Sequence, residues 1–128
     1  INSEGKVLIV RESSKYDDGV HAGEWDLVGG RIEAEEFILD GLKREVGEES
    51  GLEIEVLSVL GVSDNFPEIK GEKVHIVRVT YLCQSFSDAV VLSDDHDAYE
   101  WIDPADHAQY NIIPDVAEII GKYNSPKQ

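Results

Sequence analysis

The residues best suited to chemistry lie in one acidic stretch, Glu35–Ser50, whose apolar spacing predicts a helix closed by Gly51. With about 100° per residue and Ile38 at zero, Leu42 falls at about 40° and Val46 at about 80°, which sets the apolar face. Glu45 falls at about −20° and Glu49 at about 20°, inside that face, while Glu48 and Arg44 flank it at about −80° and −120°. Carboxylates four residues apart repel by a few tenths of a kcal/mol on an exposed helix, but buried without partners they cost several kcal/mol each. They also sit at the helix end whose dipole disfavours anions. A hard divalent cation, Mg²⁺ or Mn²⁺, offsets both effects, because it takes oxygens from one or two carboxylates and completes its shell with water and phosphate. The competing reading is a solvated acidic helix end in which Arg44 pairs with Asp40 and Glu48.

The surrounding spacing narrows the choice. Gly30 is followed by five residues, Glu36, seven residues, and then Arg44-Glu45-Val46-Gly47-Glu48-Glu49-Ser50-Gly51-Leu52. This resembles the Nudix box, G-x5-E-x7-R-E-U-x-E-E-x-G-U with U aliphatic, at all nine defined positions of a 23-residue span. The lead-in Trp25-Asp26-Leu27-Val28-Gly29-Gly30 is similar to that family's strand and turn. The resemblance implies an α+β fold: an α/β/α sandwich with a mixed central sheet and a loop–helix–loop catalytic motif. It implies hydrolysis of a nucleoside diphosphate linked to another group, with one to three Mg²⁺ or Mn²⁺ ions. Residue by residue, Glu45 and Glu49 match the principal metal ligands, Glu48 a further one, and Gly29 a backbone carbonyl ligand. Arg44 matches the arginine that orients the carboxylates, and Glu36 the acid that braces the loop and borders the substrate. The chain departs from the pattern at Val28, usually Pro, at Glu35 and Phe37 around the usual helix cap, and at Gly41, where Ala is common.

A second acidic run, Asp94-Asp95-His96-Asp97-Ala98-Tyr99-Glu100-Trp101, resembles a family segment with an acid six residues before a strand Trp. That register selects Asp95 as an extra metal ligand or the general base, with Asp94 and Asp97 as its substitutes. Glu48 is the other candidate base. Weaker signals concern the substrate. Arg31, just past the glycines, can meet a phosphate or be merely solvated. Phe66 and Tyr16, in loops, can stack a base. Asn111 can read a purine edge or cap a helix. Pro67, fifteen residues past Leu52, resembles the ADP-ribose-hydrolysing branch or is a plain turn residue, and Ile69 stands where the dinucleoside polyphosphate branch has Tyr. His21, His75, His96 and His107 show no metal-ligand spacing, and Trp25, Trp101 and Cys83 read as core residues. The expected substrate is therefore ADP-ribose or another nucleoside diphosphate sugar, with two rivals: a nucleoside triphosphate, or a catalytically silent nucleotide-binding domain.

These side chains need a scaffold. Periodicity predicts strands at Gly5–Glu12, Ile54–Val62, Ala89–Leu92 and Tyr99–Ile102, and a terminal helix at Ile113–Tyr123. Lys73–Gln84, apolar on both alternating faces, reads as the central strand, and Ser63–Glu72 as a loop. With 128 residues this is one domain, 1–128. The chain lacks Met and opens at Ile1, so its native start, with a first strand, is expected to be missing. The net charge of −16 disfavours nucleic-acid polymers and anionic membranes, so the expected partner is a small nucleotide held through a cation. Two clusters, Gly30–Leu52 and Asp88–Asp106, hold fourteen of the 27 acids, which argues against a merely salt-adapted surface. A lone Cys fits a cytoplasmic protein, and no apolar run is long enough for a membrane helix. The expected assembly is a monomer or homodimer.

Overall fold

The computed structural model describes residues 1–13 and 23–124, so Tyr16 and His21 lie outside the described residues. Strand β1 (Val7–Glu12) is apolar at four consecutive positions and so requires cover on both faces. Val7 and Ile9 pack with Ile102, Ile112, Val116 and Ile120 on one side. Leu8 and Val10 pack with Val46 and Leu52 on the other. Val46 lies on helix α1 (Ile38–Ser50), and Val116 and Ile120 lie on helix α2 (Pro114–Asn124), so the sheet is sandwiched between the two helices. Strands β2 (Trp25–Asp26) and β7 (His96–Ile102) flank β1 antiparallel, and a parallel bridge between Trp25 and Ile112 makes the sheet mixed.

A long antiparallel ribbon, β3 (Ile54–Asn65) with β6 (Ile76–Ser85), forms the rest of the β structure. Between its arms, β4 (Glu68–Ile69) and β5 (Glu72–Lys73) meet at a tight turn in which Lys70 and Gly71 adopt φ of 51° and 79°. Most of the stretch expected as a loop at Ser63–Glu72 is therefore strand. The central position falls to β1 instead of the Lys73–Gln84 stretch: β6 has β3 as its strand partner among the described residues and leaves Val77 exposed. Apolar residues on both faces require cover but do not say which strand receives a helix on each side. Ala89–Leu92 is no strand either. It crosses the end of α1, where Val91 N–H donates to the Ser50 carbonyl (2.9 Å), while Val90 and Leu92 pack against the Leu8 cluster.

Helix α1 begins at Ile38, three residues later than its spacing suggests. Glu35 sits in the left-handed region (φ 64°), and the Glu36 carboxylate accepts from Glu33 N–H (3.0 Å), closing a turn that a helix cannot run through. Phe37 occupies the N-cap without a side-chain cap bond. Gly51 ends the helix at φ 72° and donates to the Gly47 carbonyl, as a C-terminal glycine should. Gly41 has a packing reason: a Cβ there would meet Ile32 Cδ1 at 2.6 Å and Glu36 Oε1 at 2.8 Å. The glycine lets the loop lie against the helix. An element without a clear sequence signal, the 3-10 helix Pro104–Gln109, is capped by Asp103, whose carboxylate accepts from Ala105 N–H.

Truncation of the two-sided strand should be far more costly than truncation of the exposed ribbon. Ile9→Ala is expected to destabilise by about 2–5 kcal/mol, and Val62→Ala by about 0.5 kcal/mol or less, in urea unfolding at fixed pH. Equal losses would contradict the placement of the core.

Candidate active site

The loop after β2 and the second half of α1 meet through Arg44. Its guanidinium grips Glu36 with two bonds, Nε to Oε2 (2.8 Å) and Nη2 to Oε1 (3.0 Å). Nη1 reaches Glu45 Oε1 and Glu48 Oε2, both at 3.1 Å, and Nη2 also donates to the Arg31 carbonyl (3.1 Å). Bonding to Arg44, joined by the Glu33 N–H, pulls the Glu36 pKa down from its usual 4.5 to about 2. The same contacts, that to Glu36 above all, hold the Arg44 proton more firmly than usual. One cation thus ties together three acids of the box and the turn that precedes them. It does so through Glu36, Glu45 and Glu48; Asp40, expected as a partner on helical spacing, is not among its ion pairs within the described residues.

Glu49 is treated differently. Its Oε1 accepts from Gly29 N–H (3.0 Å), which brings the glycine turn against the helix. A Cβ on Gly30 would stand inside the Glu45 carboxylate, so the second glycine allows the turn and that acid to touch. Burial pushes the Glu49 pKa up from 4.5 to about 7, against the pull of Gly29 N–H and with help from the charges of Glu45, Asp95 and Glu12. The helical geometry had placed Glu45 and Glu49 on the sheltered face, and the structure does so.

The segment crossing the end of α1 delivers Asp95. Ser93 N–H donates to the Glu49 carbonyl (3.3 Å) and Ser13 N–H to the Asp95 carbonyl (3.0 Å), so Asp95 stands exposed on the Glu49 side. Asp97 is turned away, its Oδ1 accepting from Arg11 Nε (2.7 Å), which removes it as a substitute. Arg31 is exposed beside the Arg44 cluster. Phe66 lies at the tip of the ribbon, stacked on His75 (centroids 4.4 Å, interplanar 13°). An ion pair between Arg78 and Asp26 (3.5 Å) ties that ribbon to the strand before the glycines. Asn111 is no helix cap: its carbonyl accepts from Trp25 N–H (2.9 Å), and α2 starts only at Pro114. Nothing in the spacing along the chain points to Glu12, whose charge nevertheless bears on Glu49.

The donor set suits a hard cation. It consists of carboxylate oxygens, and one of them, the half-buried Glu49, is paired with no basic side chain among the described residues and is contacted by an amide. Among the described residues no three acidic, His or Cys side chains already converge to hold a metal ion. Glu48, 59% exposed, is drawn to Arg44 instead.

The raised Glu49 pKa makes cation-free stability depend on pH with a defined sign. Between 4.5 and about 7 the folded chain holds a proton that the unfolded chain has released, so stability falls as pH rises through that window. Thermal melts in chelator from pH 4.5 to 7.5 should show this fall, and Glu49→Gln should flatten it. Matching slopes in the two proteins would refute the assignment.

Comparison with known proteins agrees with this geometry. The NUDIX domain family model matches residues 1–122. The nucleoside triphosphatase NudI of Escherichia fergusonii is 28% identical over 119 residues, covering 88% of this chain and 83% of that one. The crystal structure of a MutT NUDIX hydrolase from Burkholderia pseudomallei superposes with a TM-score of 0.75 at 27% identity, over 92% of this chain and 88% of that one. A MutT protein from Methanosarcina mazei gives 0.73 at 25% identity, over 98% and 89%. With its box assembled around Arg44 and its full sandwich matched, the chain belongs to the NUDIX domain family of hydrolases.

Proposed function

We propose that the protein hydrolyses the pyrophosphate linkage of a small nucleotide with Mg²⁺ or Mn²⁺ as cofactor, a nucleoside triphosphate being the first substrate to test. The observation that carries the reading is Glu49, a half-buried acid beside Glu45 whose charge no basic side chain of the box offsets. Glu45 and Glu49 would hold the cation, with Glu48 and the Gly29 carbonyl completing the protein's share. When bound, the cation supplies neutralisation of phosphate charge and a water acidified towards neutral pH.

The chain's own residues divide the remaining work. Arg44 keeps Glu45 in place, and Arg31, exposed beside it, offers a positive charge to the substrate's phosphates. Asp95 takes the proton of the attacking water as oxygen bonds to phosphorus and the bridging P–O bond breaks. Glu48 is the less available carboxylate, because its Oε2 already accepts from Arg44 Nη1 (3.1 Å). The products of a nucleoside triphosphate would be the monophosphate and pyrophosphate. The triphosphate is supported by the name of the NudI relatives. Pro67, which pointed to ADP-ribose, has an ordinary place in a turn, its carbonyl accepting from Val74 N–H (2.9 Å). ADP-ribose remains the second substrate, and Phe66 and Asn111 stay candidates for contact with its base.

The surface supports a small ligand over a polymer, since the net charge of −16 repels a phosphate backbone that brings no cations of its own. No helix among the described residues is long and apolar enough to cross a membrane. The free thiol of Cys83 supports a cytoplasmic setting, and monomer or homodimer remains the proposed assembly.

A panel of nucleoside triphosphates, ADP-ribose, sugar nucleotides and dinucleoside polyphosphates, assayed with Mg²⁺ or Mn²⁺, tests the reading. Turnover is expected on at least one member and only with metal. Glu49→Gln should lower kcat/KM by about 100-fold or more, the loss of several kcal/mol of charge stabilisation. Asp95→Asn should lower kcat by about 10²–10⁴-fold. Binding of nucleotides without any turnover would sink the hydrolase and favour a silent binding domain.

A further inference from the structure

Strand β1 does not end at its last apolar residue. Its α1-facing side runs Leu8, Val10, Glu12, so the alternation that puts two side chains into the core beneath α1 aims a carboxylate along the same face. Opposite it, the pairing with β7 is irregular: Arg11 faces Ala98, but Glu12 faces His96, with Asp97 bulged out between them. In an unbroken register Asp97 would stand directly across from Glu12, two like charges in one cross-strand pair. The bulge sends Asp97 to Arg11 (2.7 Å) and sets an imidazole against Glu12 instead.

His96 is built in. Its side chain is only 5% exposed, and its Nδ1 has no hydrogen-bond partner among the described residues. Its Nε2 lies 3.8 Å from Glu12 Oε1, too long for a direct hydrogen bond but in close polar contact. The residue before it, Asp95, is fixed by Ser13, the residue after Glu12. Two adjacent pairs, Glu12 with His96 and Ser13 with Asp95, therefore lock the end of β1 to the segment that crosses Glu49.

We propose that Glu12 is a further carboxylate of the cation site, set toward Glu49 by the buried His96 and acting on the cation's water shell. Glu12 reaches the site from the end of β1, whereas Glu45 and Glu49 reach it from α1, which assigns it to the water shell rather than to the carboxylates that hold the ion. Glu12 is thus a positioning residue, outside the box and on a different element. The inference rests on the proposed cation site and deepens it.

Mn²⁺ binding, read from the loss of the free-ion electron paramagnetic resonance signal, tests it without turnover. Parent, Glu12→Gln, Glu12→Asp and Glu100→Gln are compared, each shown to be folded by its melting curve. Glu100 is the control, an acid on the opposite face of β7 that accepts from Tyr110 (2.6 Å). Expected are about tenfold weaker binding in Glu12→Gln, partial recovery in Glu12→Asp, and unchanged binding in Glu100→Gln. Parent affinity in Glu12→Gln, or an equal loss in Glu100→Gln, would overturn the proposal and leave the cation site standing. A parent that binds no Mn²⁺ would overturn the cation site itself.

Discussion

A single guanidinium organises the acidic half of this molecule. Arg44 has five N–H donors in a rigid fork, and the structure directs them to Glu36, Glu45, Glu48 and the Arg31 carbonyl. Because two of those partners lie in the turn and two on the helix, the same contacts fasten one element to the other. They also sort the acids. Glu36 is stabilised as an anion, Glu45 is held in place, and Glu48 is pulled to the rim. Glu49 lies beyond the fork's reach and carries the raised pKa. A lysine could not do this, since a point charge neither grips one carboxylate with two parallel bonds nor holds a plane between several.

The sandwich sets the position of that cluster. β1 is rigid because both of its faces are buried, and its α2 side is filled with aliphatic side chains that carry no chemistry. Its α1 side begins in the core with Leu8 and Val10 against Val46, then opens toward the acids one turn of helix away. Site and core thus share a face of one strand and a face of one helix. The glycines complete the arrangement. Gly30 admits the Glu45 carboxylate and Gly41 admits the turn, each by lacking a Cβ where one would collide.

The net charge of −16 takes on a local meaning in this setting. Acids from three separate parts of the chain, Glu12, the box and Asp95, act together on Glu49, so the charge at that point is concentrated rather than merely abundant. Concentration of like charge in a half-buried place destabilises the empty fold and raises the affinity for a cation. Acids elsewhere behave as ordinary surface groups, such as Asp97 on Arg11 and Asp64 on His75 (2.8 Å).

Family, helix and ligand candidates were legible in the chain because they depend on local spacing. Residues four apart on a helix share a face whatever surrounds it, and the box is contiguous over 23 residues. The C-cap at Gly51 and the sheltering of Glu45 and Glu49 followed from that same local geometry. What tertiary structure alone decided are the features that join distant segments. Which apolar strand is central depended on where two helices pack, and β1 rather than β6 received them. The start of α1 depended on a left-handed Glu35 that no propensity demands. Arg44 took Glu36 of the loop rather than Asp40 while keeping Glu48 one turn on, and Asp97 left the site for a cross-strand pair with Arg11. Glu12 carries no motif at all. Its place opposite His96 arises from a bulge in the pairing of two strands more than eighty residues apart, and one-dimensional spacing contains no record of such a register.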